Sequence, residues 1–228
     1  MKLLAIDTAT EACSAALAIN GEIHELYEFA ANRHSKLILP MVDRLMSEAG
    51  LKPNDLDALA FGCGPGSFTG IRIATGVIQG IAYALDLPVV PVSNLASLAQ
   101  GFFDNNSEDI AFVAADARMD EIYWGVYQRN SKGFAELISQ ETVTPPEQIE
   151  FPELTGVGIG TGWLKHSEML LMRLEQRIIR YENHNLPRAS AIAKLGLKGF
   201  KQGHTVLAEH ALPVYLRDKV AKKENERN

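Results

Sequence analysis

The sequence contains an internal repeat, and this repeat restricts the fold more than any other feature. Each copy begins with an apolar run that ends in an aspartate, Asp7 in the first copy and Asp116 in the second. Two further strand-like runs follow in each copy, so the predicted strands are 3–7, 13–19, 22–29, 110–116, 121–128 and 134–139. Asn20-Gly21 is a strong hairpin signal in the first copy. The matched order indicates a duplicated fold; two unrelated meanders are the alternative.

Each meander is followed by alternating helical and strand-like segments. Apolar residues at helical spacing predict helices at 35–49, 71–85, 94–103, 164–174 and 190–201. Short apolar runs predict strands at 57–63, 89–92 and 178–181, and a strand followed by a turn at 156–162. We therefore predict an α/β protein with two tandem subdomains of βββαβα order and mixed sheets, the second of them reduced. Their predicted limits are 1–103 and 104–216, and a charged tail follows at 217–228.

Capping residues predict where two of the helices begin. Ser35 and Ser190 are the expected N-caps of helices 35–49 and 190–201, because a serine hydroxyl accepts a hydrogen bond from a first-turn amide. Pro40 is then expected near the first turn, where a proline removes no helical hydrogen bond.

Composition and charge exclude several classes of protein. The chain is 46% hydrophobic and 22% charged, and no apolar run reaches the ~20 residues that span a bilayer, which predicts a soluble protein without membrane contact. Asp7 ends the first apolar run too early for a signal peptide, so we expect a cytoplasmic location. The net charge of −6 offers no basic face for nucleic acid. Any contact with RNA is therefore expected through another subunit.

The sequence predicts neither a metal site nor a cofactor. Cys13 and Cys63 lie in apolar or glycine-rich surroundings and are predicted to be buried free thiols. The six histidines show no spacing typical of metal ligands.

Five short segments resemble one protein family. They are Ala5-Ile6-Asp7-Thr8-Ala9-Thr10, Arg33-His34-Ser35, Gly64-Pro65-Gly66-Ser67-Phe68-Thr69-Gly70-Ile71-Arg72, Asp116-Ala117-Arg118 and Pro213-Val214-Tyr215-Leu216-Arg217. On these segments the chain resembles the TsaB family, within the actin, Hsp70 and sugar-kinase ATPase fold. The glycine-rich segment is the most specific of the five. The resemblance extends from the first strand to near the C-terminus.

The resemblance implies a role in tRNA modification. TsaB proteins act with TsaD, a catalytic paralogue, and TsaE, a P-loop ATPase. Together they transfer threonylcarbamoyl from its adenylate to the tRNA adenosine beside the anticodon. The resemblance also implies that the chain pairs with TsaD, or with a second copy of itself, through two helices of the N-terminal subdomain, and that it meets tRNA only through the complex.

Two departures from the enzymes of this fold imply that the chain is not the catalyst. TsaD-like enzymes carry two metal-binding histidines four residues apart, and the aligned positions here are Asn94 and Leu98. ATPases of the fold place a glycine soon after the first aspartate, whereas here Glu11 would repel phosphate. We therefore expect no catalytic residue. The alternatives are a small-molecule kinase or a metallopeptidase of the same fold, or a self-associating structural protein.

The glycine-rich segment before helix 71–85 has two interpretations. It is either a tight turn that needs glycine backbone angles or an anion or nucleotide contact at a helix N-terminus. The candidate contact residues are Gly64, Gly66, Ser67, Thr69, Gly70 and Arg72. The Walker Lys-Ser/Thr pair is missing, so the segment is not a P-loop. Gly158, Gly160 and Gly162 form a second, weaker nucleotide candidate.

Helix 71–85 has two sides that are both poor in charge. The side predicted to pack on the sheet carries Ile73, Ala74, Val77, Ile78, Ile81 and Leu85. The other side carries Arg72, Thr75, Gly76, Gln79, Gly80 and Tyr83. Because small residues four apart allow a second helix to approach closely, we predict a subunit interface here, completed by Leu37 and Met41 of helix 35–49. The alternative is a helix contact inside the subdomain.

Overall fold

The computed structural model describes residues 1–30 and 32–217. The predicted tail at 217–228 therefore lies outside the described residues, apart from Arg217. The predicted α/β class is confirmed, because the chain forms two sheets with helices packed on them.

The first sheet has five strands and contains the first copy of the repeat. Its strands are β1 Lys2–Asp7, β2 Ala12–Ile19, β3 Glu22–Phe29, β4 Ala58–Gly64 and β5 Val89–Ser93, in the order β3-β2-β1-β4-β5. The first three strands are antiparallel, whereas β4 and β5 run parallel to β1. The predicted hairpin is confirmed, since Asn20 and Gly21 both have positive φ, at 51° and 100°.

The second sheet has six strands and repeats this plan. Its strands are β6 Ile110–Arg118, β7 Glu121–Arg129, β8 Ala135–Leu137, β9 Thr142–Thr144, β10 Gly156–Ile159 and β11 Ile178–Glu182. Their order is β11-β10-β6-β7-β8, and β9 also pairs with β7. The sequence analysis missed β9 and predicted β8 too long, because three-residue strands are too short to show an alternating pattern.

Within the described residues, five α-helices connect and cover the strands. They are α1 His34–Glu48, α2 Phe68–Leu85, α3 Asn94–Asn105, α4 Gly162–Leu174 and α5 Ala189–Lys201. The predicted N-caps Ser35 and Ser190 are wrong: both helices begin earlier, after Arg33 and Arg188, and neither arginine makes a side-chain cap. Pro40 lies inside α1 rather than in its first turn.

The helices are exchanged between the two sheets. α3 comes from the first half of the chain, yet its apolar residues pack with Val113, Tyr127 and other residues of the second sheet. α5 comes from the second half and packs with Leu3, Ala60 and their neighbours on the first sheet. The predicted boundary at 103/104 falls in the last turn of α3, and it leaves most of α3 and all of α5 on the opposite side from the sheet that each helix covers.

The C-terminal segment also returns to the first sheet. Val206 forms an isolated antiparallel bridge with Val89. Further along, the Val214 amide donates to the Cys63 carbonyl at 2.7 Å. Cys13 and Cys63 are buried free thiols, as predicted.

Candidate assembly surface

Asp7 lies in a closed polar pocket at the end of β1. Its side chain is fully buried, and burial raises its pKa from 3.8 to about 6. The Ala9 amide donates to Asp7 Oδ1 at 3.2 Å, and the Asn94 amide group donates to Asp7 Oδ2. Asn94 Oδ1 in turn accepts from the Gly64 amide at 2.8 Å. A Cβ at Gly62 would lie 2.1 Å from Asp7 Oδ2, so the protein's own atoms fill this pocket.

Asp116 occupies the equivalent place in the second sheet. Its Oδ1 accepts from the Arg118 amide at 3.0 Å, just as Asp7 accepts from the amide two residues further on. Both carboxylates therefore bind backbone at the carboxyl end of the first strand of their sheet, Asp116 at an irregularity within β6, which supports a structural role for each.

The two positions aligned with the histidine pair point into the fold. Asn94 is 1% exposed and bonded to Asp7, and Leu98 is 4% exposed within the α3 apolar cluster. Within residues 1–30 and 32–217, no group of three or more His, Cys, Asp or Glu side chains is placed to hold a metal ion.

The glycine-rich segment packs against the turn that follows β1. A Cβ at Gly70 would lie 1.9 Å from the Thr8 carbonyl oxygen, and one at Gly66 would lie 2.7 Å from the Ala9 carbonyl oxygen. The Ser67 amide donates to Ala9 at 2.7 Å, and the Thr8 hydroxyl donates to the Gly70 carbonyl at 2.6 Å. These contacts favour the tight-turn interpretation of the segment.

Other features of this segment bear on the predicted anion contact. Ser67 is the N-cap of α2 and accepts from the Gly70 amide at 3.3 Å. Gly64 has a φ of 120° and donates to Asn94, so its amide is already used. Thr69 is exposed, and Arg72 stacks on an aromatic ring beside the loop. An anion or nucleotide contact here stays a prediction.

The buried side of α2 is rotated relative to the sequence prediction. Its buried residues are Gly70, Ile71, Ala74, Thr75, Ile78 and Ala82. Thr75 was placed on the open side but is 7% exposed. Gln79 is half-buried, because its side-chain amide donates to the Ala211 carbonyl at 3.1 Å. The returning C-terminal segment thus covers a side of α2 that the sequence pattern left open.

Four residues of the predicted interface remain on the open side of α2: Arg72, Gly76, Gly80 and Tyr83, here called the α2 strip. Tyr83 is 84% exposed. A Cβ at Gly76 or Gly80 would meet nothing within 4 Å, so neither glycine is explained by a contact within the described chain. Among residues 1–30 and 32–217, the internal helix contact that the sequence left open is therefore absent at these two positions.

The residues of α1 that are exposed differ from those predicted to lie at the interface. Met41 is buried in the core beneath α1, so it is not available at the surface, whereas Leu37 is half-buried. Leu39 is 52% exposed and was missed, because the helical pattern alone did not show which side of α1 faces the sheet.

Helix α2 is unusually apolar for one with an open side. It is the one helix in the described ranges that is long and apolar enough to cross a membrane by length and composition. Core helices of soluble proteins meet the same criterion, and the buried residues of α2 pack on β4. Its open side nevertheless carries only one charge, that of Arg72.

Comparisons with known proteins bear on the family. A family model described as TsaD, tRNA N6-adenosine threonylcarbamoyltransferase, matches residues 26–225. The chain is 41% identical over 225 residues to the tRNA threonylcarbamoyladenosine biosynthesis protein TsaB of Escherichia coli K12, covering 97% of this chain and 96% of that protein. It is 39% identical over 229 residues to the Haemophilus influenzae protein of the same name, covering 96% and 95%.

A solved structure indicates the same family. YeaZ from Pseudomonas aeruginosa superimposes with a TM-score of 0.88 and 45% identity, covering 94% of this chain and 99% of that one. This agreement confirms the tandem actin-like fold predicted from the repeat. The chain belongs to the TsaB family of tRNA threonylcarbamoyladenosine biosynthesis proteins.

Proposed function

We propose that this chain is a non-catalytic scaffold and activator in the synthesis of threonylcarbamoyladenosine on tRNA. The names of its relatives place them in this biosynthesis, and the matching family model is that of the transferase. The catalyst is a TsaD-like paralogue. The filled pocket at Asp7 and the buried Leu98 favour a scaffold role over a catalytic role for this chain.

The proposed partners follow from the family and from the open surface. The TsaD-like paralogue covers the α2 strip and the exposed side of α1, and a TsaE-like ATPase joins the pair. In isolation, a second copy of the chain covers the same surface. Contact with tRNA is indirect, the location is cytoplasmic, and the chain brings no cofactor of its own.

One observation carries the scaffold role. Gly76 and Gly80 lie in the interior of a long helix, where each costs about 1 kcal/mol of helix stability relative to alanine. Neither glycine is needed for a contact or a backbone angle in the described chain. A closely approaching second helix would explain both, because an added side chain would fill the gap between the helix axes.

The test is reconstitution of the modification with purified proteins. Gly80→Arg places a long cation where the partner packs, and an unpaired charge buried at an interface costs several kcal/mol. We expect this variant to fold but to lose both binding of the TsaD-like paralogue and formation of threonylcarbamoyladenosine. Binding is measured by calorimetry, and the modified nucleoside by mass spectrometry of digested tRNA.

Gly101→Arg is the matched control. Gly101 lies in α3, and a Cβ there would also meet nothing within 4 Å. This variant is expected to bind and to support modification like the wild type. Normal binding and full modification with Gly80→Arg would show that the interface lies elsewhere.

A further inference from the structure

Arg72 is held between two aromatic side chains at one end of the α2 strip. Its guanidinium carbon lies 3.5 Å from the centroid of the Phe68 ring and 5.6 Å from that of Tyr215. The two rings are 5.7 Å apart, and Phe68 and Tyr215 are 46% and 42% exposed. We call these three residues the arginine cluster. Stacking on rings orients a guanidinium before any ligand arrives.

The hydrogen-bond donors of Arg72 are unused in the part of the chain that the structure describes, where neither a carboxylate nor a carbonyl oxygen accepts from it. Other arginines differ in this respect. Arg188 donates to Glu25 at 2.6 Å, and Arg180 donates to Glu108 at 3.0 Å. A guanidinium carries five N–H donors in a planar fork that matches a carboxylate.

Tyr215 comes from a segment that is fixed along its length. The Ala211 carbonyl accepts from Gln79, and the Val214 amide donates to Cys63. Arg217, two residues beyond Tyr215, donates to Glu121 of the second sheet. The C-terminal segment therefore presents Tyr215 beside α2 as a fixed part of the surface.

We propose that the arginine cluster binds an aspartate or glutamate carboxylate of the partner that covers the α2 strip. This inference rests on the proposed function. Arg72, Gly76 and Gly80 are four residues apart and lie on one side of α2, so a partner over the glycines also removes water from Arg72. Because a desolvated and unpaired guanidinium is strongly unfavourable, the partner must supply an acid at this point. A phosphate of RNA is disfavoured by the net charge of −6.

The test compares three variants of the full chain in calorimetric titrations with the purified TsaD-like paralogue. Arg72→Gln is expected to weaken binding about 30-fold and to remove most of its salt dependence. Arg72→Lys keeps the charge but lacks the planar set of N–H donors of the guanidinium, and it is expected to give an intermediate loss of affinity. Arg177→Gln makes the same chemical change far from α2, at an arginine that already pairs with Glu153, and should bind like the wild type.

Two substitutions of Tyr215 test the aromatic support. Tyr215→Phe preserves the ring and should retain nearly full affinity, whereas Tyr215→Ala should weaken binding in the same direction as Arg72→Gln. Combined with Arg72→Gln, Tyr215→Ala should add little further loss, because both changes act on one contact. Melting temperatures close to that of the wild type confirm that the exposed substitutions leave the fold intact.

The outcomes separate this inference from the proposed function. If Arg72→Gln binds the paralogue with wild-type affinity and salt dependence while Gly80→Arg does not bind, the inference is overturned and the proposed function stands. If the wild-type chain itself does not bind the paralogue, both are overturned. If Arg72→Gln loses affinity for tRNA but not for the paralogue, the cluster binds nucleic acid and the proposal is wrong.

Discussion

At the scale of single residues, Asp7 is a buried carboxylate that connects neighbouring parts of the first sheet. The carboxylate is enclosed by the Ala9 amide, the Asn94 side chain and the backbone of Gly62. Asn94 links it to the glycine-rich segment through the Gly64 amide. Through Asn94, Asp7 therefore connects the end of β1 to the end of β4.

Asp7 also makes stability depend on pH. Its pKa is raised by burial from 3.8 to about 6, so the folded state binds the proton more tightly than the unfolded state. The contribution of Asp7 to stability is therefore fully present below pH 3.8 and is lost as the pH rises to about 6. The corresponding change in the free energy of unfolding is about 3 kcal/mol at most.

Denaturant unfolding of wild type and Asp7→Asn across this pH range checks the prediction. The difference between the two proteins should carry a slope between pH 3.8 and about 6 and become flat above it. Asp116→Asn, at the equivalent place in the second sheet, retains Asp7 and should keep the wild-type slope. Parallel curves for wild type and Asp7→Asn would contradict the raised pKa.

At the scale of elements, the surroundings of α2 change along its length. Its first turn is pressed against the chain after β1, and its middle is open. Gly70 is required because a Cβ there would overlap the Thr8 carbonyl, whereas Gly76 has no neighbour within reach. The stability of the monomer accounts for the first glycine, and the proposed assembly would account for the second.

One substitution made at both glycines separates these roles. Gly70→Ala should lower the free energy of unfolding by about 3 kcal/mol, because backbone must move. Gly76→Ala should raise it by about 1 kcal/mol, because alanine is the better helix former and its methyl group meets only solvent. Chemical denaturation of the two variants measures both values. A loss of stability with Gly76→Ala would mean that the strip is already packed in the monomer.

The sequence predicted the elements of α2 and its neighbours better than their surroundings. Periodicity identified the helix and its end, but the helix begins at Phe68 rather than at residue 71, because Ser67 caps it within the glycine-rich segment. An apolar helix with few charges also does not show which side faces the sheet, so Thr75 was misplaced. The contact of Asn94 with Asp7 joins residues 87 positions apart, and Tyr215 reaches Arg72 from the far end of the chain. Contacts between residues so far apart in sequence depend on the topology of the chain, which the local sequence pattern does not predict.

At the scale of the whole molecule, Glu141 joins the two sheets. It precedes β9 in the second sheet, and its Oε1 accepts hydrogen bonds from Ser93 at the end of β5 and from Tyr127 of β7. Tyr127 is 1% exposed, so the contact lies where water does not compete. Ser93 is also the N-cap of α3. One carboxylate thus contributes both to the contact between the two sheets and to the start of α3.

A double-mutant cycle tests this connection. Tyr127→Phe should cost about 1 kcal/mol of stability, and Ser93→Ala about 2 kcal/mol, because it also removes the cap. Since both hydroxyls bond the same oxygen, the combined loss should differ from the sum by about 0.5 kcal/mol or more. Additive losses in denaturant unfolding would show that the two hydroxyls act independently.

The exchange of α3 and α5 between the sheets has a consequence for how the protein is made. During synthesis all five strands of the first sheet emerge before α5, which spans Ala189–Lys201 near the end of the chain. Until then, the side of that sheet formed by Leu3, Ala60 and Val90 lacks the helix that supplies most of its cover, since only Ala96 of α3 also packs there. On the ribosome, the apolar face of the first sheet is therefore expected to stay partly uncovered until residues 189–201 have been translated, and a chain stalled before that point should expose this face to chaperones and proteases.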